Sequence, residues 1–234
     1  MNKPSLFNSD HVAERTRELT SVIETMVSAA DFPCVGAKSA LARKNLKVIS
    51  AHRLDSNWDD VKLHSELLDW SRTYRDSEGD LRSLAVVFEG PDDLTETEFE
   101  KLMWERIQSL ADKDAWLGQP YDERVSADPS DPHFSLSFGG EAFFVVGLHP
   151  NASRPARRCP HPTLVFNLHD QFERLREEGR YTRMREAILE RDKKLAGSIN
   201  PMLAKHGESS EARQYSGRMV GGDWKCPFSD PRAA

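Results

Sequence analysis

The chain has 234 residues and 38% of them are hydrophobic, enough for one sizeable core. Lys and Arg number 32 against 38 Asp and Glu, and the resulting net charge of -6 argues against a nucleic-acid binder, which usually carries a basic excess. The longest apolar run, Ala142 to Leu148 with one glycine, falls far short of the roughly 20 residues that span a bilayer, so no membrane partner is expected.

Asp10 to Ala29 reads as a helix, because Val12, Leu19, Val22, Ile23, Met26 and Val27 recur at helical spacing. Asp31-Phe32-Pro33-Cys34 ends it, and Leu46 to His52 alternates as a short strand. Asp59 to Tyr74 is a second helix with Val61, Leu63, Leu67, Leu68 and Trp70 on its apolar side. Leu84 to Phe88 is a continuous apolar run, as a buried strand requires. After the turn at Gly90-Pro91-Asp92-Asp93, Thr95 and Glu98 form a capping box for a helix reaching about Asp112. Gly118 to Ser130 carries turn residues and little periodicity.

From His133 to Leu148 the pattern is a hairpin. Phe134, Leu136 and Phe138 alternate with serines, and Gly139-Gly140 supplies the positive φ angles of a tight turn. The more apolar return strand is expected to be central in its sheet. Thr163 to Asn167 is a further strand, and His169 to Arg176 and Thr182 to Leu195 are helices broken at Gly179. From Ala196 onward Gly, Ser and Pro are frequent, yet Tyr215, Trp224 and Phe228 imply an ordered, irregular segment packed on the body. The elements do not alternate regularly as βαβ. The expected architecture is α+β, one domain over residues 1–234, with a mainly antiparallel or mixed sheet covered by helices.

The richest stretch chemically is Phe143 to Arg158, where a strand stops at His149-Pro150 and Arg154, Arg157 and Arg158 follow. Guanidinium forks suit carboxylates or phosphates, and an imidazole can ligate a metal. Together they suggest a way to hold an anionic, metal-containing cofactor. The competing reading is a hydrogen-bonded structural histidine beside arginines paired to neighbouring acids. His169, at a strand-to-helix junction, is the second candidate ligand; His161 and His206 have less distinctive surroundings. Cys34 could be a ligand or nucleophile but reads more readily as a small core cysteine, and Cys226 likewise. Three scattered cysteines and no apolar signal core point to reduced thiols and a cytoplasmic protein. No zinc pattern, P-loop, G-x-G-x-x-G or G-x-S-x-G occurs.

Four blocks carry a resemblance: FPCVGAKSAL (Phe32 to Leu41), FSLSFGGEAFFVVGLHPNASRPARR (Phe134 to Arg158), PTLVFNLHDQFERLR (Pro162 to Arg176), and GSINPML with GESSEARQYSGR (Gly197 to Arg218), closing in WKCPF (Trp224 to Phe228). Together they resemble the YqcI/YcgG family, whose characterised members include haem-dependent N-hydroxylases of guanidino amino acids in guanitoxin and D-cycloserine pathways. The resemblance implies a b-type haem held by a histidine, molecular oxygen as co-substrate, and hydroxylation of a guanidino or amino nitrogen of arginine or a similar substrate. On that footing His149, with His169 as the alternative, would bind the iron. Arg154, Arg157 and Arg158 would take the propionates and Phe144 would line the pocket. Glu211 or Glu208, with Glu141 in reserve, would receive the substrate cation, and Tyr215 or Ser216 would donate protons. The rival expectations are a haem-binding or haem-sensing protein without turnover, and a cofactor-free anion-binding module. The electron donor and the substrate's identity are not readable from the sequence; a monomer or homodimer is the default.

Overall fold

The computed structural model describes residues 9–75, 81–202 and 208–233. Five strands form one mixed sheet: β1 (Leu46–Ala51), β2 (Ser83–Phe88), β3 (Leu136–Phe138), β4 (Glu141–Leu148) and β5 (Thr163–Leu168), in the order β1-β2-β5-β4-β3. β1 and β2 run parallel, and every other pairing is antiparallel. Seven helices surround the sheet among the described residues: α1 (Ser9–Ser28), α2 (Val35–Ala42), α3 (Asp60–Arg75), α4 (Glu96–Trp116), α5 (Asp170–Glu177), α6 (Tyr181–Ala196) and the single turn α7 (Ala212–Tyr215). None of them is long and apolar enough to cross a membrane.

The α+β reading holds, with four local differences. α3 carries the chain from β1 back to a parallel β2, a crossover that local patterning does not reveal. The sheet's middle strand is β5, and the apolar β4 lies one place further out. α4 extends to Trp116, past the expected end near Asp112. α2 was not anticipated: it has eight residues, no full apolar stripe, and a cysteine at the N-cap, where Ser, Thr, Asp or Asn are usual. The Thr95–Glu98 capping box is present, and Gly139 and Gly140 close the hairpin at φ angles of 61° and 78°.

Strand alternation divides the core into two layers. Ile49, Leu84, Val86, Phe143, Val145, Leu164 and Phe166 face α3 and α4, where Leu63, Leu67, Phe99, Met103, Trp104 and Ile107 cover them. Trp224 and Phe228 pack onto this same side, so residues 208–233 belong to the body, as expected. Val48, Ala85, Val87 and Leu148 face the opposite way, against Leu19, Ile23 and Val27 of α1. A largely apolar cavity opens on this second layer.

Candidate functional site

The cavity has a volume of about 290 Å³, at the lower end of the range for small-molecule pockets. Its floor is the sheet: Ala85 of β2, Phe144 and Val146 of β4, and Val165 and Asn167 of β5. α1 contributes Ile23, Met26 and Val27; the α1–α2 junction contributes Phe32, Pro33, Cys34 and Gly36; α6 adds Met184, Ile188 and Leu189. These surfaces are apolar, so charged groups among them are informative. They are Arg154, Arg157, Arg176, Arg185, Asp192 and Glu211.

Each arginine's setting differs. Arg154 is buried at 8% exposure and pairs with Asp192 of α6 while also donating to Ser198 O at 3.0 Å. Its Nε is buried without a hydrogen-bond partner. The Arg157 guanidinium donates to Gly147 O at 3.1 Å, Tyr215 O at 3.2 Å and Gln214 O at 3.0 Å, all main-chain carbonyls. Burial pulls its pKa down to about 10, against the opposing fields of Asp192 and Cys34. It therefore stays charged at neutral pH, but its desolvation is not matched by a carboxylate in hydrogen-bond contact.

Cys34 caps the start of α2, its Sγ accepting from Ala37 N at 3.4 Å. Burial raises the thiol's pKa; the Ala37 and Gly36 amides and the Arg157 charge pull the other way. Glu211 enters from the N-terminal edge of α7. Behind it runs a hydrogen-bonded chain. Ser135 Oγ lies 3.3 Å from Glu211 Oε2 and 3.0 Å from His169 Nδ1, and His169 Nε2 lies 2.8 Å from Glu173 Oε1. Ser135 is fully buried, whereas the Glu173 side chain is 41% exposed, so the chain links the cavity wall to solvent.

The structure brings together only part of the expected set. Arg154, Arg157, Phe144 and Glu211 line the cavity. His149 does not: it follows Phe143, Val145 and Gly147 in strand register and projects to the other side of the sheet, where its ring stacks on Phe99 at 4.4 Å. Its Nδ1 is buried there without a partner, and burial lowers its pKa despite the nearby Glu96. His169 does not line the cavity either, and both its ring nitrogens are engaged, with Ser135 and Glu173. Arg158 points outward and donates to Ala152 O and Ser153 O. Glu141 is paired with Arg124 at the start of β4, and Glu208 is exposed. Ser216 donates to Glu100, which also holds Arg218. Tyr215 is buried among Trp104, Phe134 and Phe144, its hydroxyl donating to Phe143 O at 3.3 Å; burial raises its pKa well above the ordinary range. His206 lies outside the described residues.

Sequence reasoning missed Arg176, Arg185 and Asp192, which reach the cavity from α5 and α6. The one available signal was Arg176, at the end of a resemblance block. Among the described residues no group of three or more His, Cys, Asp and Glu side chains is arranged to hold a metal ion. A haem needs fewer protein ligands, and its fit can be judged from the walls. Apolar faces suit the ring, and the buried Arg154 and half-buried Arg157 guanidiniums suit propionates. Among the described residues no imidazole lines the cavity, and the side chains there that could ligate iron are Cys34, Met26, Met184 and Tyr181.

Neither the curated proteins nor the solved structures contain a match to this chain. A family model does match, over residues 23–229, and every block that converges on the cavity falls within it. The chain belongs to the YqcI/YcgG family.

Proposed function

We propose that the chain is a haem-dependent monooxygenase that N-hydroxylates a guanidino or amino nitrogen of arginine or an arginine-like amino acid, with molecular oxygen as co-substrate. The observation carrying this reading is the cavity itself: apolar on its broad faces, bordered by the buried Arg154 and half-buried Arg157 guanidiniums, and reached by the Glu211 carboxylate. Bound haem would supply the oxygen chemistry, and the protein would supply binding, orientation and protons. Arg154 and Arg157 would take the propionates, with Arg154 Nε offering a donor that has no acceptor of its own. Phe144, edge-on to Phe172 with ring centres 6.4 Å apart, presents a rigid apolar surface. Glu211 would pair with the substrate's guanidinium or ammonium group.

The chain behind Glu211 gives a route for protons. In the tautomer with the imidazole proton on Nδ1, Nδ1–H donates to Ser135 Oγ while the serine hydroxyl donates to Glu211. A concerted shift would move a proton from Glu173 to His169 Nε2, the Nδ1 proton to Ser135 and the serine proton to Glu211. Glu173, open to solvent, is where the chain meets bulk protons.

The test is the absorption spectrum of protein expressed with haem precursor or titrated with hemin, followed by assay of arginine and related compounds with oxygen and a reductant. A Soret band and oxygen-dependent N-hydroxylated product are expected. Glu211→Gln should keep the band while weakening substrate binding about thirtyfold or more, the loss expected when a desolvated charge pair loses one partner. Absence of a Soret band after hemin titration refutes the proposal. A band without turnover leaves a haem-binding or haem-sensing protein.

A further inference from the structure

We propose that Tyr215 is a redox-active residue: when a peroxide-derived oxidant forms in the cavity with no substrate bound, its phenol gives one electron to that oxidant and one proton to the Ser135–Glu211 pair. The inference rests on the haem reading above and gives a role to a buried hydroxyl that N-hydroxylation does not use.

Placement gives the first argument. Tyr215 stands one ring behind the cavity wall: Phe144 lines the cavity, and the two rings meet edge to face with centres 5.2 Å apart. On its other side Tyr215 stacks on Trp104 at 5.7 Å. Trp104 lies 6.1 Å from Phe228, and the half-buried Trp224 and Cys226 pack against the same cluster. Readily oxidised side chains therefore extend in contact from behind the cavity wall toward the surface. Arg157, on that wall, donates to Tyr215 O at 3.2 Å and fixes the residue against it.

The proton gives the second argument. Burial keeps the phenol protonated, so its electron can leave only together with its proton. The Phe143 carbonyl, 3.3 Å from the hydroxyl, accepts a hydrogen bond but is too weak a base to take the proton. Ser135 can pass it on. The serine is hydrogen-bonded to the Tyr215 side chain, and its Oγ lies 3.3 Å from Glu211 Oε2. The phenolic proton moves to Ser135 Oγ as the serine proton moves to Glu211, so one O–H bond breaks at Tyr215 and one forms at Glu211. Tyr215 is oxidised by one electron to a neutral radical, and the oxidant is reduced by one. A substrate cation on Glu211 favours the ionised carboxylate and opposes this proton transfer. The residue that binds substrate thus turns the side path off, and the path opens only in the empty site.

The experiment mixes haem-loaded, substrate-free full-length protein with hydrogen peroxide, freeze-quenches it and records the electron paramagnetic resonance spectrum. Wild type should show an organic radical whose hyperfine splitting narrows when the protein carries ring-deuterated tyrosine. Tyr215→Phe should lose this signal. The chain has four tyrosines, and Tyr181 also lines the cavity, so Tyr74→Phe, Tyr121→Phe and Tyr181→Phe should each retain it. No radical in wild type, a radical insensitive to tyrosine deuteration, or loss of the signal in Tyr181→Phe overturns the assignment and leaves the haem reading intact; the rings around Tyr215 are then packing alone. No haem uptake by wild type overturns both. The deuterated wild type and the three other tyrosine variants decide the matter even if Tyr215→Phe misfolds.

Discussion

Gly147 offers the most direct check on how the cavity floor is braced. An alanine Cβ there would lie 2.7 Å from Phe99 Cε1, 3.0 Å from Phe99 Cζ and 3.0 Å from Tyr215 O. Carbon atoms rest at about 3.5–4.0 Å, so the methyl overlaps its neighbours by roughly 0.5–1 Å. Neither neighbour can easily give way. Phe99 is fully buried and stacked on His149 at 4.4 Å, and Tyr215 O is held by Arg157 at 3.2 Å. Overpacking of this kind costs about 1–3 kcal/mol. For a chain of this size each kcal/mol lowers Tm by about 2–4 °C, giving an expected loss of about 2–12 °C for Gly147→Ala. Urea and thermal denaturation measure it, with Gly222→Ala as control because nothing lies within 4 Å of that added carbon. The control should stay within about 0.5 kcal/mol of wild type. A Gly147→Ala variant equally close to wild type would refute the packing of α4 and the Tyr215 carbonyl against β4.

The buried Arg154–Asp192 pair should show strong coupling. Asp192→Ala leaves a buried cation without its counter-charge and should cost about 3–5 kcal/mol, whereas Arg154→Met with Asp192→Leu should cost much less; simply additive losses in urea denaturation would contradict the pair. His149 should make stability depend on pH. Its folded-state pKa is lowered by burial, so the unfolded chain binds the proton more readily, and stability is full above about pH 6.5 and declines as pH falls below it. The slope from this one group is at most about 1.4 kcal/mol per pH unit. His149→Phe, which keeps the stack on Phe99, should flatten the stability curve between about pH 7 and pH 5; curves of equal slope would contradict the assignment.

Elements with strong local signals were legible in the sequence. The Thr95–Glu98 box, the Gly139-Gly140 turn and the apolar stripes of α1, α3 and α4 each depend on residues a few positions apart. The β1–β2 pairing was not, because nothing in either strand names a parallel partner more than thirty residues away. The site was half legible for a similar reason. The arginines after β4 do reach the cavity, but strand alternation alone puts Phe144 and His149 on opposite faces, and that parity argued against grouping them. Cys34 caps α2, a role its sequence did not signal because Ser, Thr, Asp or Asn usually stand there. Tyr215 and Ser216 follow Glu211 closely but turn into the other core layer, against Phe143 and Glu100.

Arg157 clasps carbonyls of Gly147, Gln214 and Tyr215, segments separated by more than sixty residues. Chains are made from the N-terminus onward, so all five strands and α1 to α6 leave the ribosome before the segment carrying Glu211 and Gln214. Until then the cavity lacks part of its wall, and the Arg157 guanidinium lacks two of its three acceptors. Occupancy of the complete site therefore waits for this last segment to emerge. The nascent protein must fold its sheet unaided, and a ligand supplied during synthesis can stabilise only molecules in which this last segment has already docked.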